Sequence, residues 1–144
     1  MNNFYHCLEC GNSISLGVME FSTEVHGVSL CLKHQIWIAE SSASTEAVSL
    51  YFALKANKVP VELEFWDGKK TIDIAIPGKL YIEVDGEQHN EPEEALTDFL
   101  KTLHAWKDKI PTFRISNAHV RNQYHFEMIV DRLTDICEEF KKTG

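Results

Sequence analysis

Four residues with metal-binding side chains form two closely spaced pairs near the start of the chain. Cys7 and Cys10 flank two residues in CLECG, and Cys31 and His34 flank two residues in CLKH. A tight turn can aim the first pair at one point, and the start of a helical turn can aim the second pair at the same point. Three sulfurs and one imidazole suit tetrahedral Zn²⁺, and four protein ligands leave no open position, so we expect a structural zinc.

Other interpretations of these residues are less favoured. A disulfide is disfavoured in a reducing cytoplasm, and the paired spacing argues against free thiols. His6 and His26 are alternatives to His34, although neither has the paired spacing. The remaining cysteine, Cys137, lies on the apolar side of a helical pattern and is expected to be a buried free thiol.

Two carboxylates stand at matching positions of two strand-like runs, Thr71–Ile76 and Leu80–Asp85. Because side chains alternate along a strand, the aliphatic residues of each run share one face and the acids share the other. A three-residue loop at 77–79 keeps the aliphatic faces together. This register pairs Ile76 with Leu80 and sets Asp73 opposite Glu83.

The same alternation applies to the preceding hairpin. With Asp67-Gly68 as its turn, the register that keeps apolar residues together pairs Leu63 with Ile72 and sets Glu62 opposite Asp73. Like charges across a sheet cost roughly 0.2–1 kcal/mol per pair, and a bound divalent cation would remove that cost. Solvated acids on the wet face of an antiparallel sheet are the alternative.

The segment TIDIAIPGKLYIEVDGEQH resembles the central hairpin of the PD-(D/E)XK, or restriction-endonuclease-like, nuclease superfamily, in particular its very-short-patch-repair-like branch. The resemblance implies an α/β fold with an α-β-β-β-α-β-α core. By position it implies that Asp73 and Glu83 bind Mg²⁺ or Mn²⁺, with the Val84 carbonyl as a further ligand. Glu46 matches a helical glutamate of many members, but an acid there also complements the helix dipole.

The chain departs from the superfamily pattern at one position. The usual lysine, two residues after the second acid, is Asp85 here. Gln88 and His89 are the residues expected to orient water or protonate a leaving group, although His89 could equally be a surface histidine. Lys101 lies where the branch often has a basic residue, and it could equally pair with Asp98.

The resemblance therefore predicts a metal-dependent endonuclease that hydrolyses DNA phosphodiester bonds. Five basic residues are expected to hold the nucleic-acid backbone: Lys101, Lys107, Lys109, Arg114 and Arg121. A module that keeps the fold and binds nucleic acid or a partner protein without catalysis is the main alternative, and a zinc-stabilised protein-interaction domain is another. A homodimer or a partner nucleic-acid enzyme is compatible with each.

These residues need a scaffold of alternating elements. Residues 1–40 are expected to form a zinc-binding element, treble-clef-like or zinc-ribbon-like, without long periodicity, and residues 41–144 a nuclease-like core. The predicted core elements are a helix from Ser44 or Thr45 to about Lys58, strands Val59–Trp66, Thr71–Ile76 and Leu80–Asp85, a helix from Pro92 to about Lys107, a strand Ile110–Ser116 and a helix with an apolar stripe from Phe126 to Phe140.

Length and composition limit the number of domains and the class of protein. The 144 residues fit one main domain, and 44% hydrophobic with 25% charged residues is typical of a soluble globular protein. The N terminus shows no secretory signal, so we expect a cytoplasmic protein. A formal net charge of -8 argues against a broad basic surface, although acids gathered at a metal site contribute to that sum.

Overall fold

A computed structural model describes residues 5–85, residue 97 and residues 110–143, and it divides the chain into two compact units, Met1–Ser42 and Ala43–Gly144. The fold is mixed α/β. The described residues include five helices, and none of them is long and apolar enough to cross a membrane. The predicted helix between Pro92 and Lys107 lies outside the described residues.

The first unit is more regular than its sequence predicted. Strands β1 (Tyr5–His6) and β2 (Ser13–Ile14) form an antiparallel pair, followed by helices α1 (Leu16–His26) and α2 (Leu32–Glu40). The absence of long apolar periodicity did not prevent α1 from forming. This helix buries only Ser22 completely, so it lacks the continuous apolar stripe by which amphipathic helices are recognised.

Hydrogen bonds of Ser22 connect α1 to the loop before α2. The buried Ser22 hydroxyl donates to the Val28 carbonyl at 2.6 Å and accepts from the Leu30 N–H at 2.8 Å. Gly27 ends α1 with a φ of 80°, a conformation that favours glycine. These contacts bring the chain back to Cys31, the residue that precedes α2.

The second unit is built on a four-stranded mixed sheet in the order β3-β4-β5-β6. Its strands are β3 (Glu62–Trp66), β4 (Thr71–Ile76), β5 (Leu80–Asp85) and β6 (Thr112–Ser116). The first three pair antiparallel, as predicted, and β6 runs parallel to β5. Both β3 and β6 begin later than predicted, after the buried residues Val59, Val61 and Pro111.

The described residues of the second unit also form three helices. The first, α3 (Thr45–Ala56), begins at Ser44, whose hydroxyl accepts from the Ala47 N–H at 3.1 Å. A short α4 (Asn117–Arg121), which was not predicted, precedes α5 (Gln123–Thr143). The predicted apolar stripe of α5 is confirmed, because Ile129, Leu133 and Cys137 are buried. Burial also raises the pKa of the Cys137 thiol.

The hydrophobic core of this unit contains one face of the sheet and residues of α3 and α5. Ile72, Ile74, Leu80, Ile82 and Ile115 are almost completely buried, as predicted from strand alternation. Leu50 and Leu54 of α3 and Leu133 of α5 are also fully buried. The acids on the alternate strand positions therefore belong to the other face of the sheet.

Candidate metal sites

Four side chains meet in the first unit at the positions predicted for zinc. The ligand atoms of Cys7, Cys10, Cys31 and His34 all lie within 4.8 Å of one another. The Cys31 Sγ atom is 3.2 Å from His34 Nδ1, and the Cys10 and Cys31 sulfurs are 4.0 Å apart. Such spacing could hold one metal ion, and three sulfurs with one imidazole nitrogen are compatible with structural zinc.

Local structure explains how these four residues converge. Cys7 and Cys10 lie in the turn between β1 and β2, where the Gly11 N–H donates to the Cys7 carbonyl. Cys31 is the N-cap residue of α2, and His34 lies in its first turn. His34, rather than His6 or His26, is therefore the histidine of this cluster.

The thiols of the first pair have different environments. Burial acts to raise the pKa of Cys7, but N–H groups of Cys31, Cys10 and Glu9 outweigh burial and lower it. For Cys10, an Asn12 N–H acts to lower the pKa, but desolvation and the neighbouring sulfurs of Cys7 and Cys31 together raise it. Backbone donors aimed at Cys7 stabilise a thiolate, which is the form that binds a metal.

The second candidate site is the Asp73–Glu83 pair on β4 and β5. Ile76 pairs with Leu80 and Ile74 with Ile82, as predicted, and the same register continued by one residue sets Asp73 opposite Glu83. The Val84 N–H donates to Asp73 Oδ2 at 2.8 Å. This bond holds the Asp73 carboxylate at β5, beside the Glu83 carboxyl group.

Glu83 is an acid in an unfavourable environment for its charge. Burial and the neighbouring Asp73 carboxylate raise its pKa, and the Lys70 charge and a backbone hydrogen bond from Asp73 offset them only in part. The Lys70 Nζ atom is 3.9 Å from Glu83 Oε1. The Glu83 side chain is 15% exposed, so its charge is screened less than a surface charge.

Glu62 does not belong to this pair, and the prediction that it faces Asp73 was wrong. It pairs with Ala75, and Leu63 pairs with Ile74 rather than Ile72. The turn causes this shift, because Asp67 Oδ1 accepts N–H bonds from Lys69 at 2.7 Å and Lys70 at 2.8 Å. Residues 67–70 thus form a four-residue loop, which moves the register by two residues.

The corrected register adds two charged residues to the row. Leu63 pairs with Ile74 and Phe65 with Ile72, so the register of these neighbours places Glu64, not Glu62, opposite Asp73. The φ of Glu64 is 54°, which is uncommon for a residue other than glycine. On the other side, Arg114 of β6 pairs with Glu83. Paired residues lie on the same face of a sheet, which places Arg114 beside Glu83. Lys70 reaches Glu83 from the β3–β4 loop.

Glu46 has a different partner. Its carboxylate accepts a hydrogen bond from the Arg121 guanidinium, a contact that lowers the pKa of Glu46. The two residues line a cleft of about 360 Å³ between α3 and the α4–α5 junction. Arg121, predicted to bind nucleic acid, is thus paired with the helical glutamate.

Several predicted site residues lie outside the described part of the chain. These are Gln88, His89, Lys101, Lys107 and Lys109, and the Asp85 side chain is also not described. Lys70 was not predicted from the sequence. Its position directly before β4, three residues from Asp73, is the sequence feature that could have indicated a contact with the acid pair.

Comparisons with known proteins identify no relative. No protein-family model, curated protein or solved structure matches the chain. The geometry of the two sites therefore carries the functional argument.

Proposed function

We propose that this protein is a metal-dependent endonuclease that hydrolyses DNA phosphodiester bonds, with Asp73 and Glu83 as the ligands of its catalytic cation. The observation that carries the proposal is the apposition of two carboxylates on β4 and β5, where burial and mutual repulsion raise the pKa of Glu83. A divalent cation between them would turn that repulsion into attraction.

The donor set fits a hard cation. Carboxylate oxygens suit Mg²⁺ or Mn²⁺, and the Val84 carbonyl is the further ligand that the resemblance implies. When bound, the cation would supply Lewis acidity to a phosphate oxygen and to the attacking water. The Val84 N–H orients the Asp73 carboxylate. Arg114 pairs with Glu83 across β5 and β6, and in this proposal its guanidinium contacts a phosphate of the DNA.

The first unit has a separate role in this proposal. Cys7, Cys10, Cys31 and His34 bind a structural Zn²⁺ that holds the β1–β2 turn to α2. Because all four positions are filled by protein atoms, this ion takes no part in hydrolysis.

Cleavage of supercoiled plasmid in Mn²⁺ or Mg²⁺ tests the proposal. Asp73→Asn and Glu83→Gln remove one ligand charge each, whereas Asp131→Asn removes an exposed acid of α5 as a matched control. We expect at least about a 100-fold loss of nicking in the first two variants, because the cation contributes several kcal/mol. The control should retain wild-type activity. Equal nicking by all four proteins would refute the assignment.

Calorimetric titration with Mn²⁺ separates catalysis from binding. The wild-type protein should bind Mn²⁺, and Asp73→Asn should weaken that binding. If Mn²⁺ binds but no protein cleaves DNA, the alternative becomes the better account, namely a nuclease-fold module without activity. The presence of Asp85 where the superfamily has lysine is the observation that favours this alternative.

A further inference from the structure

Lys70 is the charged group that partly compensates the Asp73–Glu83 pair. Its Nζ atom lies 3.9 Å from Glu83 Oε1, and its side chain is 59% exposed whereas that of Glu83 is 15% exposed. The carboxylate is thus held within the fold and the ammonium approaches it from the solvent side. Such an ion pair is weak, because one partner is well solvated.

The β3–β4 loop fixes the backbone from which Lys70 extends. The Lys70 N–H donates to Asp67 Oδ1 at 2.8 Å, and the Lys70 carbonyl accepts from the Asp67 N–H at 3.0 Å. Lys69 shares this turn, since its N–H donates to the same oxygen at 2.7 Å, but it forms no ion pair within the described part of the chain. The chain therefore offers two adjacent lysines, of which one reaches the acid pair.

We propose that Lys70 is an internal counter-ion that a divalent cation must displace from Glu83, so that Lys70 sets the cation concentration at which the site fills. This inference rests on the proposed function of the pair as a cation site. A cation between Asp73 and Glu83 and an ammonium beside Glu83 compete for the same carboxylate, and their charges repel each other. The exposed four-carbon stem lets Lys70 withdraw into solvent.

Removal of the Lys70 charge has an effect of definite sign. Lys70→Gln leaves Glu83 without its competitor, so Mn²⁺ binds more tightly. The Lys70 charge lies about 4 Å from the site, in a dielectric close to that of water, and salt screens it further. Its removal should therefore lower the Kd for Mn²⁺ roughly three- to tenfold. Lys70→Arg keeps the charge and keeps the wild-type affinity or weakens it. A merely structural role for Lys70 predicts instead that Lys70→Gln loosens the site and weakens binding.

The experiment is calorimetric titration of the zinc-loaded protein, residues 1–144, with Mn²⁺ at about 0.05 M and about 0.5 M salt. Lys70→Gln should bind three- to tenfold more tightly than wild type at low salt, and the difference should shrink at high salt because ions screen the repulsion. Lys69→Gln is the matched control and should stay within about twofold of wild type. Unchanged or weaker binding by Lys70→Gln, or an equal change in Lys69→Gln, would overturn the proposal.

Plasmid cleavage distinguishes failure of the counter-ion role of Lys70 from failure of the proposed endonuclease function. The half-maximal Mn²⁺ concentration for nicking should fall in Lys70→Gln by the same factor as the Kd. If Mn²⁺ binds but no protein nicks DNA, the endonuclease assignment fails, and the titrations still decide the role of Lys70. If wild type binds no Mn²⁺, the cation site is refuted, and the counter-ion role is refuted with it.

Discussion

Glu83 is largely buried beside a like charge, and this environment affects the free energy of unfolding as well as metal binding. Burial and the Asp73 carboxylate raise the pKa of Glu83, so the folded protein holds a proton at pH values where the unfolded chain has lost it. Stability contributed by this group is therefore present below the ordinary glutamate pKa and is lost as pH rises through the raised pKa. The Lys70 charge acts to lower the pKa of Glu83, but that pKa stays above its ordinary value.

Replacement of Glu83 by glutamine should stabilise the protein at neutral pH in buffer free of Mg²⁺ and Mn²⁺. Glutamine keeps the shape and removes the repulsion, so we expect a gain of about 0.2–1 kcal/mol, measured by urea unfolding at pH 7. The gain should disappear near pH 4, where Glu83 of the wild type is protonated. A loss of stability at pH 7 would mean that the Lys70 ion pair outweighs the repulsion from Asp73.

The Glu46–Arg121 pair shows how tertiary structure assigns a partner to a residue. Glu46 lies in the first turn of α3, where the sequence alone allowed both a catalytic role and a dipole-complementing one. Its partner lies 75 residues later, at the end of α4. No local pattern could have connected the two.

At the scale of elements, the β3–β4 turn determines which acids share a row. Strand alternation correctly separated the apolar face from the acidic face, because the alternation depends only on the period of the strand. It did not predict the register of β3, because a shift by two residues leaves each side chain on the same face. The hydrogen bonds of Asp67 to Lys69 and Lys70 make that choice.

Asp67→Ala should destabilise this hairpin, because two N–H groups lose their acceptor. We expect Tm to fall by about 2–5 °C at pH 7, with a smaller fall for Asp67→Asn, which keeps an acceptor oxygen. The N–H groups of Lys70 and Lys69 lower the pKa of Asp67, so its contribution is present above the ordinary aspartate pKa and is lost as pH falls through the lowered value. Equal Tm values for wild type and Asp67→Ala at pH 7 would contradict this role.

Across the whole molecule, the two compact units differ in how many apolar side chains they bury. The second unit has a buried core of sheet and helices, whereas few of the large apolar side chains of the first unit are fully buried, among them Leu30. Short segments with small cores commonly depend on a metal for folding. The Cys7–Cys10–Cys31–His34 cluster is the expected source of that stability.

Removal of zinc should therefore unfold the first unit selectively. With a chelator, or with Cys10→Ser, we expect loss of zinc and loss of amide protection in α1 and α2, while β4 and β5 stay protected. Hydrogen exchange with mass spectrometry measures both, and elemental analysis should give one zinc per chain. Cys137→Ser, which changes a cysteine outside the cluster, is the matched control and should keep its zinc. Protection of α1 that survives zinc loss would contradict the prediction.

Spacing along the chain was enough to indicate the four residues that could hold a metal ion, the alternation of apolar and acidic strand faces and the register of β4 with β5. Each of these depends on spacing within a few residues or on a single three-residue loop. The three-dimensional structure was needed to show that Glu62 pairs with Ala75 rather than Asp73, that Lys70 approaches Glu83 and that Arg121 pairs with Glu46. Those contacts depend on turn hydrogen bonds and on packing between distant segments, for which local spacing carries no information.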